Sequence, residues 1–184
     1  MTLNIDISNP SGDWSMVEDA GIRSAACAAW SAASDDDEEG EVSIVLADDA
    51  FIQDLNARFR NKNLPTNVLS FPLLEPGDVG GDVGDGAVDG MSLVAPPSNL
   101  GEPRHLGDII LALTTITREA EAQGKALSDH AHHLVVHGFL HLLGWDHEKA
   151  AAADEMEAQE IAILAELNIA NPYEAEANQI KVRT

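Results

Sequence analysis

Hydrophobic and polar positions along the chain follow two patterns, and the first of them predicts strands. Residues 3–7 alternate between apolar and polar side chains, as in a half-buried strand. Residues 42–47 predict the next strand, and the short segment 68–71 is β-prone and ends at Pro72. The continuous apolar run at 107–112 is typical of a buried central strand.

The second pattern is the recurrence of apolar residues every three or four positions, which predicts helices. They are expected at about residues 14–33, 49–59, 114–123, 128–143 and 148–167, the last beginning at 148 or 151. Ser11 or Asp13 is expected to cap the first of these helices, and Asp48–Asp49 the second. Ser128 is expected to cap the fourth, and Gly124 to end the third.

Strands and helices are interspersed without strict alternation, so an α+β class and a mixed α/β class are both open. We predict an α+β fold: a single domain over residues 1–184, with a small mixed sheet packed with helices. The length and the 45% share of hydrophobic residues allow a sizeable core. The lone Cys27 excludes an internal disulfide and is expected to be a small core residue of the first helix.

Between residues 73 and 104 the composition changes to Gly, Asp, Pro and Ser, which predicts a loop. A structureless stretch of that length is uncommon inside a domain, so we expect a mobile acidic surface insertion at about 76–101. Its Asp and Gly spacing is similar to that of a calcium loop. The flanking helices and the closing Glu of such a loop are missing, which disfavours calcium binding.

The chain is strongly acidic, with 32 acidic against 10 basic residues and a formal net charge of -22. This charge disfavours non-specific binding of nucleic acid over the whole surface, and no DNA partner is expected. Arg58, Arg60 and Lys62 nevertheless form a local basic cluster that could take one phosphate chain. The sequence has no signal-peptide pattern and no apolar run long enough to span a bilayer, which predicts a cytoplasmic protein without membrane contacts.

Three histidines have the spacing of a known zinc-binding helix and turn. His137, His141 and His147 stand in the pattern H-x-x-x-H-x-x-G-x-x-H. Residues four apart project from one face of a helix, and Gly144 can end that helix and return the chain over the same face. Three neutral imidazoles with a fourth position left to water are typical of catalytic zinc, so we expect one Zn²⁺ per chain. The alternative, three unrelated polar or core histidines, does not account for this spacing.

Several other polar residues lie near the motif. His130 and His133 continue the same helical stripe, but a catalytic zinc takes three protein ligands, so we expect these two to support the ligands or to be solvated. His132 is expected on the surface. Asp146 either accepts the second N–H of a ligand imidazole or is exposed at the turn, and the position of Glu148 gives no geometric reason to assign it as a base.

The residue after the first ligand distinguishes this chain from zinc peptidases with the same spacing. Those enzymes carry Glu there as the general base, whereas this chain has Gly138. Glycine accepts no proton, and inside a helix it costs about 1 kcal/mol relative to alanine. The metal site is therefore still predicted, but peptidase chemistry is not.

These residues together resemble the bacterial YbeY family of endoribonucleases. The similarity covers about residues 42–173 and rests on Leu55–Asn56, Arg60, Pro65–Pro72, Leu106–Ile109 and the histidine motif. The resemblance implies a metal-dependent enzyme that cuts single-stranded RNA, matures the 3′ end of 16S ribosomal RNA and serves in ribosome quality control. It also implies that His137, His141 and His147 are the metal ligands and that Arg60 is a functional arginine. The insertion at 76–101 is longer than is usual in that family.

Our leading hypothesis is therefore a zinc-dependent endoribonuclease that acts on single-stranded ribosomal RNA, with the ribosome or small-subunit proteins as partners. Arg60, His137 and His141 are the expected catalytic residues, because a guanidinium and a metal ion can together stabilise charge on a phosphodiester. Phe59, Phe71 and Trp145 are candidates for stacking on bases, although each also suits a core. The alternatives are a zinc metallopeptidase and a non-catalytic ribosome assembly factor with structural zinc.

Overall fold

The computed structural model describes residues 2–34, 39–73, 103–145, 147 and 150–174. Within them a four-stranded sheet has the order β1-β2-β4-β3. The strands are β1 Thr2–Ser8, β2 Glu39–Ala47, β3 Val68–Pro72 and β4 Arg104–Ala112. β1 and β4 run parallel to β2, whereas β3 runs antiparallel to β4. The sheet is therefore mixed, and β4 lies between β2 and β3, as predicted for a buried central strand.

Helices cover both faces of this sheet. They are α1 Asp19–Ala33, α2 Asp49–Arg60, α3 Leu113–Gln123, α4 Leu127–Leu142 and α5 Ala150–Glu166. Alternate residues of a strand point to opposite faces. On β4, Ile109 and Leu111 join the larger core with α1, α4 and α5, whereas Ile110 and Ala112 join a smaller cluster with Ile52 of α2. The predicted α+β class with a small mixed sheet is confirmed.

Two predicted capping residues act elsewhere in the fold. α1 begins at Asp19, later than a cap at Ser11 or Asp13 requires. Ser11 instead accepts the backbone N–H of Asp48 at 3.0 Å, and Asp13 accepts that of Ser15 at 3.1 Å. Both side chains can cap a helix. Here Ser11 bonds the residue after β2, and Asp13 bonds a residue of its own turn.

The predicted caps of the other helices have mixed outcomes. Asp48 caps α2 by accepting the N–H of Phe51 at 2.8 Å, and Gly124 ends α3 with a φ of 65°. Asp49 lies inside α2, where its carboxylate accepts the backbone N–H of Thr115 at 2.9 Å and the Thr115 hydroxyl at 2.8 Å. The prediction for Ser128 was wrong, because α4 begins at Leu127 without a side-chain cap and Ser128 lies inside the helix.

The position of Cys27 also differs from the prediction. The buried face of α1 carries Ile22, Ala25, Ala26, Ala29 and Trp30. Cys27 falls on the opposite side of the helix and is exposed. The predicted insertion at 76–101 lies outside the described residues. In the part of the chain that the structure describes, no helix has the length and hydropathy needed to cross a bilayer.

Candidate metal centre

The three histidines of the motif meet at the end of α4. His137 and His141 lie one turn apart on this helix, which ends at Leu142. Gly144 then adopts a φ of 88°, a left-handed conformation that suits glycine, and the chain reverses. This turn brings His147 back to the other two, so that one ligand atom from each histidine lies within 4.8 Å of the others. The predicted cluster is formed and could hold a metal ion.

The hydrogen bonds of the two helical imidazoles determine which nitrogen faces the site. Nδ1 of His137 donates to a carboxylate oxygen of Glu160 at 2.8 Å, and Nδ1 of His141 donates to the carbonyl of Trp145 at 2.9 Å. A carbonyl or an ionised carboxylate can only accept, so each Nδ1 carries the proton and each neutral ring has its lone pair on Nε2.

The two Nε2 atoms are 3.1 Å apart. Two lone pairs at that separation repel each other unless a cation lies between them. Zn–N bonds of 2.0–2.1 Å at a tetrahedral angle separate two ligand nitrogens by about 3.3 Å. The donor set and its spacing therefore fit a tetrahedral ion with imidazole ligands.

Glu160 of α5 bonds a candidate ligand and is the site residue that the sequence interpretation missed. Its side chain is only 1% exposed and accepts hydrogen bonds from Nε2 of His133 and Nδ1 of His137, both at 2.8 Å, and from the hydroxyl of Tyr173. Burial by itself raises the pKa of Glu160, but these hydrogen bonds outweigh it and lower the pKa from 4.5 to about 2. The available signal was a glutamate within the buried stripe of α5, between Met156 and Ile163–Leu164.

The remaining histidines of α4 lie outside the metal-ligand group. His133 supports it indirectly through Glu160, whereas His130 is buried and bonds Glu119 at 3.0 Å. The prediction for His132 was wrong: this residue packs against α1, where a β-carbon on Gly21 would lie 2.3 Å from its Nε2. Burial lowers the pKa of His132. Periodicity along α4 alone does not show that α1 covers this side.

Gly138 is the point of closest approach between α4 and the sheet. The hydroxyl of Ser70 donates to the carbonyl of Gly138 at 3.1 Å. A β-carbon at position 138 would lie 2.9 Å from that hydroxyl oxygen and 3.0 Å from Cγ2 of Ile109. A glutamate here would begin inside the interface between α4 and the sheet. Close packing therefore accounts for the glycine that replaces the base of a peptidase.

A cavity of about 220 Å³ opens beside the three histidines. Its wall also contains Arg60, Lys62, Thr66, Asn67, Val68 and Ser70. The structure thus brings Arg60, at the end of α2, to the same cavity as the histidines. Arg58 points elsewhere and pairs with Asp54 at 2.8 Å on the surface.

The predicted stacking residues do not contribute to this wall. Phe59 and Phe71 pack edge to face, with ring centroids 5.5 Å apart, and Trp145 packs against the larger core. Asp146 and Glu148 lie outside the described residues.

Comparison with known proteins identifies the family of this chain. Residues 13–168 match the family model described as endoribonuclease YbeY. An endoribonuclease YbeY of Parvibaculum lavamentivorans is 46% identical over 175 residues, which cover 95% of this chain and 86% of that protein. One from a Chelativorans species is 44% identical over 173 residues, covering 93% of each.

The fold has a counterpart among solved structures. The solution structure of TM1509 from Thermotoga maritima aligns with a TM-score of 0.51 at 20% identity, covering 94% of this chain and 95% of that one. At this identity the likeness supports the fold alone. The family model and the curated relatives together show that this chain belongs to the endoribonuclease YbeY family.

Proposed function

We propose that this chain is a zinc-dependent endoribonuclease that cuts single-stranded ribosomal RNA. The observation that carries the proposal is that the three imidazoles and Arg60 line the same cavity. The relatives named as endoribonucleases support the reaction class. Maturation of the 16S RNA 3′ end and ribosome quality control, with the ribosome or small-subunit proteins as partners, are the proposed context. A ribosomal RNA substrate implies action in the cytoplasm.

His137, His141 and His147 are the proposed ligands of one zinc ion. Two of them already present Nε2 lone pairs at a tetrahedral spacing, and three neutral imidazoles leave a fourth position open to water or substrate. A bound ion would supply a Lewis acid that acidifies water and neutralises developing negative charge. Glu160 and the carbonyl of Trp145 hold the two helical rings in the required tautomer.

Arg60 is proposed to bind the scissile phosphodiester. A guanidinium presents paired N–H donors that match two non-bridging oxygens, and negative charge on those oxygens increases during cleavage. Lys62 lines the same cavity and adds a second positive charge. This local pair of cations accounts for RNA binding by a protein whose formal net charge is -22.

The peptidase alternative lacks its general base. A β-carbon at position 138 would lie closer than van der Waals contact to Ser70 and Ile109, so the packing of α4 on the sheet disfavours a glutamate there. The assembly-factor alternative, with purely structural zinc, does not account for a cavity that contains both ligand imidazoles and a guanidinium.

The test compares His141→Ala with His105→Ala, a matched change at an exposed histidine on β4. We expect the His141 variant to lose metal binding and cleavage of single-stranded RNA, and the His105 variant to keep both. Unstructured peptides incubated in parallel separate the peptidase alternative. Full RNA cleavage by a verified metal-free His141→Ala protein, or cleavage of peptides alone, would contradict the proposal.

A further inference from the structure

A second cavity, of about 260 Å³, lies directly beside the metal-centre cavity. The two share Asn67, Val68 and His137 as wall residues, so they lie on either side of His137. Its volume is slightly below that of typical small-molecule pockets, which suits one planar ring system rather than an extended chain. A group bound here would therefore be a close neighbour of anything bound beside the three histidines.

One part of the wall is aromatic. The rings of His133 and Tyr173 meet edge to face, with centroids 5.6 Å apart and an interplanar angle of 82°. Both rings are held in place, because His133 and the hydroxyl of Tyr173 bond the buried carboxylate of Glu160. Unpaired RNA bases stack on Tyr and His rings of this kind.

Another part of the wall carries a fixed carboxylate. Oε2 of Glu119 accepts hydrogen bonds from Nδ2 of Asn67 and Nε2 of His130, both at 3.0 Å. The Glu119 side chain is 31% exposed, and no hydrogen bond between described residues reaches its second oxygen, Oε1. The carboxylate is thus oriented by two donors and retains an acceptor for a ligand N–H group.

The two cavities differ in the charge that they favour. Arg60 and Lys62 give the metal-centre cavity two positive charges that attract a phosphate, whereas the second cavity pairs one cation, Lys125, with one carboxylate, Glu119. Lys125 donates to the carbonyl of Pro172 at 2.7 Å, which ties the segment before Tyr173 to the turn after α3. The backbone of a nucleotide therefore suits the first cavity and its base the second.

We propose that the second cavity binds one nucleobase of the RNA, next to the cleaved phosphodiester, and prefers guanine, adenine or cytosine to uracil. The preference arises because these three bases carry an amino group that donates to Glu119, as carboxylates accept from cytosine N4. Uracil offers one N–H between two carbonyl oxygens, which the carboxylate repels. This inference rests on the proposed function, since it assigns a base-binding role beside the same metal centre.

The test measures binding of the four nucleosides to the full-length, metal-loaded protein by NMR titration. Nucleosides contain no phosphodiester, so they bind without being cleaved. We expect guanosine, adenosine and cytidine to bind roughly tenfold more tightly than uridine, the effect of one charge-assisted hydrogen bond. Tyr173 is the single tyrosine of the chain, so its ring signals report the cavity directly. Equal binding of all four, or shifts at His105 instead of Tyr173, would overturn the inference.

Two substitutions on α3 test the role of the carboxylate. Glu119→Gln is expected to reduce the preference to about twofold or less, because a carboxamide no longer attracts an amino group as an anion does. Glu121→Gln makes the same charge change at an exposed position of the same helix and should leave the preference intact. Equal loss in both variants would contradict a role for the cavity, and the wild-type titration decides the question if Glu119→Gln fails to fold.

The outcomes for the two proposals are distinguishable. A protein that cleaves RNA but binds the four nucleosides alike would overturn this inference and leave the nuclease proposal standing. A protein that prefers amino-bearing nucleosides but cuts no RNA would overturn the nuclease proposal and leave a nucleobase site.

Discussion

Nδ1 of His137 on α4 donates a 2.8 Å hydrogen bond to Oε1 of Glu160 on α5. The bond joins a candidate metal ligand to a carboxylate that is 1% exposed and that also accepts from His133 and Tyr173. Packing of α5 against α4 therefore determines the tautomer and the orientation of the ligand ring. Carboxylate partners of this kind also increase the basicity of a metal-bound imidazole.

Replacing Glu160 should weaken metal binding although no ligand changes. We expect Glu160→Gln to lower zinc affinity roughly 10- to 100-fold, because an amide holds the His137 N–H less strongly than a carboxylate. A competition titration with a chromophoric chelator measures the affinity. Glu157→Gln, at an exposed position of the same helix, is the control and should bind zinc like the wild type. Unchanged affinity in Glu160→Gln would show that the bond has no effect on the ligand.

Arg60 should affect cleavage without affecting the metal. Removing a donor that stabilises transition-state charge typically costs on the order of 10²–10³ in kcat. We expect a loss of that size in Arg60→Ala, with zinc content unchanged. Arg58→Ala, two residues earlier and paired with Asp54 on the surface, should cut RNA normally. RNA cleavage kinetics and metal analysis test this, and normal cleavage by Arg60→Ala would remove the arginine from the mechanism.

Gly138→Ala should destabilise the protein even though alanine favours helices. The gain in helix propensity is about 1 kcal/mol, whereas overpacking against Ser70 and Ile109 costs roughly 1–3 kcal/mol. We expect a net loss of about 1 kcal/mol in urea unfolding. Ser128→Ala in the same helix removes no cap and should change stability by less than about 0.5 kcal/mol. A Gly138→Ala protein as stable as the wild type would mean that α4 and the sheet separate at little cost.

His132 should make folding sensitive to mild acid. Burial lowers the pKa of His132 below 6.5, so the folded state favours the neutral ring and the unfolded chain takes up the proton first. The stability is therefore full above pH 6.5 and decreases as the pH falls below it. Urea unfolding at about pH 7.5 and about pH 5.5 should show a larger loss in the wild type than in His132→Gln.

The pKa of His130 is lowered as well, mainly by burial, and this contribution is common to both proteins. The difference between them therefore isolates His132. Identical pH dependence would contradict the packing of this half-buried ring against Gly21.

Much of the fold follows from short-range patterns. The strand patterns at 3–7, 42–47, 68–71 and 107–112 and the helical periodicities predict the described strands and helices, because side-chain direction has a period of two in strands and 3.6 in helices. The spacing of His137 and His141 determines that they share a face, and Gly144 permits the turn that returns His147. Capping was predicted less well, since Ser11 and Asp13 have the right chemistry but bond other parts of the chain.

The sequence by itself determined the three histidines and their common face, since both depend only on residues within one helix and its turn. Tertiary structure alone decided which groups surround them. Glu160 reaches His137 only because α5 packs on α4, and Gly138 has no room for a side chain only because α4 lies against Ser70 and Ile109. Contacts between elements distant in sequence depend on the packing of whole faces, which local periodicity does not specify.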